Sequence, residues 1–84
     1  MDRPSPAVQD YLKAIYQLDE VAEVQGPVTT AQVAEALAVT TASASNMLKK
    51  LDTLGYAVQV KRQGVELTEA GRSAALEVIR HHRL

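Results

Sequence analysis

The stretch that most restricts this chain runs from Thr40 to Gly55, TTASASNMLKKLDTLG. It opens on a hydroxyl pair suited to capping, continues through small polar side chains and closes on a glycine. It therefore reads as one complete helix over about 41–54 with two unlike ends. Met47, Leu48, Leu51 and Leu54 fall at helical spacing, so the helix has an apolar face that the rest of the chain must cover. Near its N-terminus the opposite face carries Ala42, Ser43, Ser45 and Asn46, all short enough to let the backbone approach a flat partner. First-turn amides and the positive dipole end favour phosphates, while Asn and Ser reach base edges. With Lys49 and Lys50 placing charge near a flanking backbone, these are the requirements of a helix lying in a DNA major groove. Read alone, a surface helix with a polar solvent face accounts for the same residues, and the neighbouring elements decide between the two.

Upstream, Ser5 and Pro6 form an N-cap and first-turn pair. Val8, Tyr11, Leu12, Ile15, Leu18 and Ala22 then recur at three- and four-residue steps and predict a helix over about 6–24, ended by Gln25-Gly26-Pro27. Val28-Thr29-Thr30 is short and β-branched, an extended piece of one or two residues. Thr29 and Gln32 have capping-box spacing and open a short helix over 30–37 through Ala31, Val33, Ala34 and Leu37. Ala38, Val39 and Thr40 leave a turn of about three residues before the next helix, which makes the pair a helix-turn-helix, without the glycine often found in such turns.

After Gly55 the period changes from helical to alternating. Tyr56 to Lys61 and Val65 to Leu67 read as two strands joined by Arg62-Gln63-Gly64, a hairpin over about 56–67 with Lys61 and Arg62 at its tip. An isolated hairpin with a basic tip is an ordinary solvated edge. Placed directly after a helix-turn-helix it reads as a wing whose tip reaches phosphates or the minor groove. Thr68 caps a last helix over about 68–83, with Glu69 in its first turn and Ala70, Ala74, Leu76, Val78 and Ile79 facing inward. The expected architecture is mainly α with a small β-hairpin, a winged helix-turn-helix. The last helix reaches Leu84 without a cap, which predicts a longer protein.

Composition narrows the function classes. Eighty-four residues with three Tyr, no Phe and no Trp make one domain with an aliphatic core. The absence of cysteine excludes disulfides and thiolate metal sites. No signal pattern opens the chain and no apolar run approaches spanning length, so a cytoplasmic location is expected. Net charge is −1 but uneven: residues 1–40 carry two basic and six acidic side chains, residues 41–84 seven basic and four acidic. The basic half contains the proposed recognition helix. Enzymatic chemistry has no constellation here. Potential nucleophiles are scattered, no Gly-rich phosphate loop occurs, and the two His, His81 and His82, are adjacent.

Five blocks in order, DYLKAIYQL at 10–18, VAEALAV at 33–39, MLKKL with GY at 47–51 and 55–56, LTEAG at 67–71 and HRL at 82–84, resemble the N-terminal domain of the metal-dependent repressors of the diphtheria toxin repressor and manganese transport regulator family. The resemblance covers nearly the whole chain. It implies a winged helix that binds inverted-repeat operators in double-stranded DNA as a homodimer when manganese(II) or iron(II) is bound, and that represses metal-uptake genes. It implies metal ligands at Asp10 and His82, the remaining ligands lying in a C-terminal dimerisation domain beyond this chain. A carboxylate oxygen at Asp10 suits manganese. Three residues on, where manganese-type members carry a second carboxylate, this chain has Lys13, a departure from the two-metal form. The resemblance also implies base contacts at Ala42 and Asn46 and phosphate contacts at Thr40, Ser43 and Ser45. Two alternatives stay open: a metal-independent winged-helix regulator, which Lys13 favours, and a winged helix that binds protein, which the near-zero net charge favours.

Overall fold

Side-chain caps set where the helices begin. The computed structural model describes residues 4–22, 26–61 and 63–81. Its elements run α1 (Pro6–Val21), α2 (Thr30–Leu37), α3 (Thr41–Thr53), β1 (Ala57–Val60), β2 (Gly64–Leu67) and α4 (Glu69–His81). Ser5 Oγ accepts from Val8 N at 3.3 Å to open α1. Both bonds of the capping box open α2: Gln32 N donates to Thr29 Oγ1 at 3.1 Å and Thr29 N to Gln32 Oε1 at 2.9 Å. Thr40 Oγ1 accepts from Ser43 N at 3.1 Å at the start of α3, and Thr68 Oγ1 accepts from Gly71 N at 3.0 Å at the start of α4. Each cap satisfies an amide that the first helical turn leaves without a carbonyl.

Helix α1 stops at Val21, short of the expected 24, with Ala22 already extended (ψ 126°). Leu18 is the last α1 residue packed against the core, and Val21, three residues on, is 75 % exposed. Residues 23–25 lie outside the described residues.

Helices α2 and α3 end alike. At α2, Ala38 N donates to Glu35 O at 3.2 Å and Val39 N to Ala34 O at 3.0 Å. At α3, Gly55 N donates to Asp52 O at 3.0 Å and Tyr56 N to Leu51 O at 2.9 Å. This pair of bonds closes a helix through one left-handed residue. At α3 that residue is Gly55 (φ 84°), whereas at α2 it is Ala38 (φ 56°), so the backbone takes in alanine the conformation that glycine adopts freely.

The core gathers Val8, Tyr11, Leu12 and Ile15 of α1, Val33 and Ala34 of α2, Ala44, Leu48 and Leu51 of α3, Ala57 and Val65 of the hairpin and Ala75 of α4. The core is aliphatic apart from Tyr11, and fully burying each aliphatic side chain contributes about 1.5 to 3 kcal/mol. Two expected core positions move. On α3 the inward stripe is Ala44, Leu48 and Leu51, with Ala44 at 0 % and Leu54 at 50 % exposure, because Leu54 sits in the closing turn, past the last residue that faces the core. On α4 the inward residues are Gly71, Ala75 and Val78, and Ala70 is exposed.

Glycine sets that second shift. A side chain at 71 would overlap the Tyr56 carbonyl, which accepts from Thr68 N at 3.0 Å. Thr68 Oγ1 also donates to Gly55 O at 2.7 Å. The start of α4 is thereby seated on the turn that ends α3. The hairpin pairs antiparallel in the register Ala57↔Leu67, Val58↔Glu66, Gln59↔Val65 and Val60↔Gly64. Val28 adds one bridge to Val65, with Val28 N to Val65 O at 2.9 Å and Val65 N to Val28 O at 2.8 Å. A Cβ at Gly64 would overlap the Val28 carbonyl, so glycine permits that approach.

Candidate nucleic-acid interface

Burial of Ala44, Leu48 and Leu51 turns the other side of α3 outward. Thr40, Ala42, Ser43, Asn46, Lys49 and Lys50 are exposed and Ser45 is half-buried. The first helical bond, Ala44 N to Thr40 O at 3.0 Å, lies beyond the amides of Thr41 and Ala42, which stand at the exposed helix start. Thr40 Oγ1 also donates to Ser43 Oγ at 3.0 Å, which fixes two hydroxyls side by side at the tip. Asn46 lies one turn further on the same exposed side. The small side chains from 42 to 46 leave the backbone close to the surface, and the lysines follow at its C-terminal side.

The wing stands beside this helix. Its turn closes through Gln63 N to Val60 O at 2.9 Å and presents Lys61 to solvent. Arg62, the other basic residue expected at the tip, lies outside the described residues. Between wing and α2 runs an open groove of about 440 Å³ lined by Thr29, Thr30, Gln59, Lys61 and Gln63 among others. Sequence reasoning did not find this groove. Its walls come from two segments 30 residues apart, brought together by the bridge at Val28, and the only local sign was the β-branched run before Thr30.

Asp10, one of the two expected metal positions, lies elsewhere. Asp10 is exposed on α1 and lines a second groove of about 390 Å³ with Lys13, Leu18, Val21 and Leu37. His82 lies outside the described residues. A manganese(II) or iron(II) ion requires several oxygen or nitrogen donors. Among the described residues no three His, Cys, Asp or Glu side chains gather to hold one. Asp10 has the right donor chemistry, but the described part of the chain does not form a metal site by itself.

Comparison with known proteins bears on this two-part surface. A sequence model of the iron-dependent repressor N-terminal DNA-binding domain matches residues 5–65. The chain belongs to this family. The HTH-type transcriptional regulator MntR of Geobacillus kaustophilus is 36 % identical over 81 residues, covering 96 % of this chain and 55 % of that protein. MntR of Bacillus subtilis is 34 % identical over 80 residues, covering 95 % of this chain and 54 % of that protein. The chain thus spans about half the length of the curated relatives it matches. Among solved structures, a MarR family protein of Mycobacterium tuberculosis superposes with TM-score 0.65 at 20 % identity, over 84 % of this chain and 50 % of that one. A candidate DNA-binding protein of Ralstonia eutropha superposes with TM-score 0.68 at 18 % identity, over 89 % of this chain and 96 % of that one. These two likenesses establish the fold, a winged helix-turn-helix in which four helices carry a two-stranded hairpin. In this member of the iron-dependent repressor family, α3 is the second helix of the helix-turn-helix and the hairpin is the wing.

Proposed function

We propose that this chain is the sequence-reading part of a transcriptional repressor that binds an inverted-repeat operator as a homodimer under control of manganese(II) or iron(II). The observation that carries the proposal is the exposed start of α3, with small polar side chains from Thr40 to Asn46, beside a wing that presents Lys61. Asn46 is the base-reading residue, bidentate to an adenine, and Ala42 contacts a thymine methyl. Thr40, Ser43 and Ser45 hold phosphates through their hydroxyls, and Lys49, Lys50, Lys61 and Arg62 do so through charge. Phosphate contacts set the register of the helix and base contacts its preference.

Asp10 and His82 are proposed as ligands in the intact protein, with further donors from the length that the relatives have and this chain lacks. A divalent cation held there would supply a cross-link between segments of the chain. Regulation without metal is favoured by one observation. Lys13 lines the same groove as Asp10, and an ammonium beside a carboxylate lowers that site's attraction for a second cation.

Fluorescence anisotropy of a labelled inverted-repeat duplex tests both, using this chain and a version extended beyond Leu84, with and without manganese(II), at two salt concentrations. Tight binding by the extended protein only with metal, and weak metal-indifferent binding by this chain, supports the metalloregulator. Tight binding without metal supports the metal-independent regulator. Absence of binding to any duplex at low salt overturns the assignment to DNA, because phosphate-driven association is strongest there.

A further inference from the structure

One rung of the wing is hydrogen-bonded on both of its edges, and one of those bonds comes from a side chain of α3. Gln59 stands opposite Val65 in the hairpin register. Val65 directs both of its backbone groups to Val28, at 2.9 and 2.8 Å, and therefore away from β1. In an antiparallel pair such a residue faces a partner whose own amide also points outward. The Gln59 amide accordingly lies on the free edge of β1, and there Asp52 Oδ2 accepts it at 3.1 Å. The same rung is thus held on one edge by the Val28 backbone and on the other by a carboxylate of α3.

Asp52 is otherwise badly placed. It lies in the last turn of α3, where the helix dipole disfavours a negative charge. It also follows Lys49 and Lys50 on the element that approaches phosphates, where an acid opposes binding. The one described polar contact of its side chain is the wing amide.

Resting on the DNA-binding reading above, we propose that Asp52 is a positioning residue for DNA recognition: its carboxylate holds β1 against the C-terminal turn of α3 and so sets the wing tip, with Lys61, at a fixed reach from the base-reading turn. A wing tip free to shift would lose its phosphate contact even with the base-reading turn of α3 intact.

The test combines a DNA-free readout with a DNA readout. Amide exchange of Gln59 is followed in the wild type, Asp52→Ala and Asp52→Asn. The same variants, each with and without Lys61→Ala, are titrated with the inverted-repeat duplex across a salt series. The expected result for Asp52→Ala is faster exchange at Gln59 and weaker DNA binding despite the loss of a negative charge. Its plot of log K against log salt should be shallower by about 1, the contribution of one lost phosphate contact. Lys61→Ala should then have no further effect. Asp52→Asn keeps an acceptor oxygen and should keep Gln59 protected, with binding at least as tight as the wild type. Tighter binding by Asp52→Ala, with Lys61→Ala still reducing the slope in full, would make Asp52 a surface charge and overturn the proposal. Unchanged Gln59 exchange in Asp52→Ala overturns it on the protein alone. Faster exchange in a protein whose wild type binds no duplex overturns the DNA-binding reading instead, which separates the two failures.

Discussion

The surface formed by α3 and the wing and the groove at Asp10 on α1 are finished to different degrees. The first is assembled from short-range devices: Thr40 caps the helix at Ser43, Gly55 closes it, the hairpin turns within a few residues, and Asp52 ties helix to strand. Apart from the Val28 bridge that holds Val65, its parts lie between residues 40 and 67. The second offers one exposed carboxylate beside an ammonium in a groove walled by Leu18, Val21 and Leu37. Nucleic-acid reading needs a shaped, exposed face, which one element and a hairpin can supply. Metal binding needs several donors converging on a point, which one helix face does not supply. The contrast supports the proposal that the described residues carry the DNA-reading surface and that a metal switch would need donors beyond them.

The largest expected effect breaks the first surface from behind. Leu51→Ala removes a side chain that is fully buried under α3 and should cost about 2 to 5 kcal/mol in urea unfolding, with DNA binding lost in proportion to the unfolded fraction. Asn46→Ala separates reading from folding. It should leave the unfolding midpoint in place while weakening operator binding by about 1 to 3 kcal/mol and relaxing preference at one base pair. Equal losses on operator and scrambled duplex would remove Asn46 from base reading. Lys50→Ala should instead weaken all sequences alike and reduce the salt slope by about 1.

Ala38→Gly probes the joint between α2 and α3. Relief of left-handed strain, offset by the greater freedom of glycine when unfolded, should stabilise the chain by about 0.5 to 1 kcal/mol in thermal melts. Destabilisation would mean that the Ala38 methyl packs usefully. Asp10→Ala sharpens the contrast by doing almost nothing. An exposed carboxylate outside the core should change stability by no more than about 0.5 kcal/mol, and duplex binding by this chain should stay as it was. In the extended protein the same substitution should abolish any response to manganese(II). A large effect on this chain alone would show that Asp10 already acts here.

Much of the fold was legible because its signals are local. A cap is a contact between residues three apart, so Ser5, Thr29, Thr40 and Thr68 declared their helices directly, and the change from helical to alternating spacing after Gly55 declared the hairpin. The exposed side of α3, from Thr40 to Lys50, was legible for the same reason, since an apolar stripe defines its own opposite face. Less legible was which member of a stripe is innermost. Ala44 and not Leu54 lies under α3, because Leu54 falls in the closing turn, and Gly71 and not Ala70 lies under α4, where the Tyr56 carbonyl leaves no room for a side chain.

By itself the sequence determined the order and kind of the elements, the start of each helix and the chemistry of the recognition surface, all of which depend on residues within a turn of one another. Only the tertiary structure decided that α1 ends at Val21, that an alanine takes the left-handed turn at 38, that Val28 bridges to Val65, and that Asp52 reaches the amide of Gln59. Those outcomes depend on how separate elements come to rest against one another, which the spacing of residues within any one element does not express.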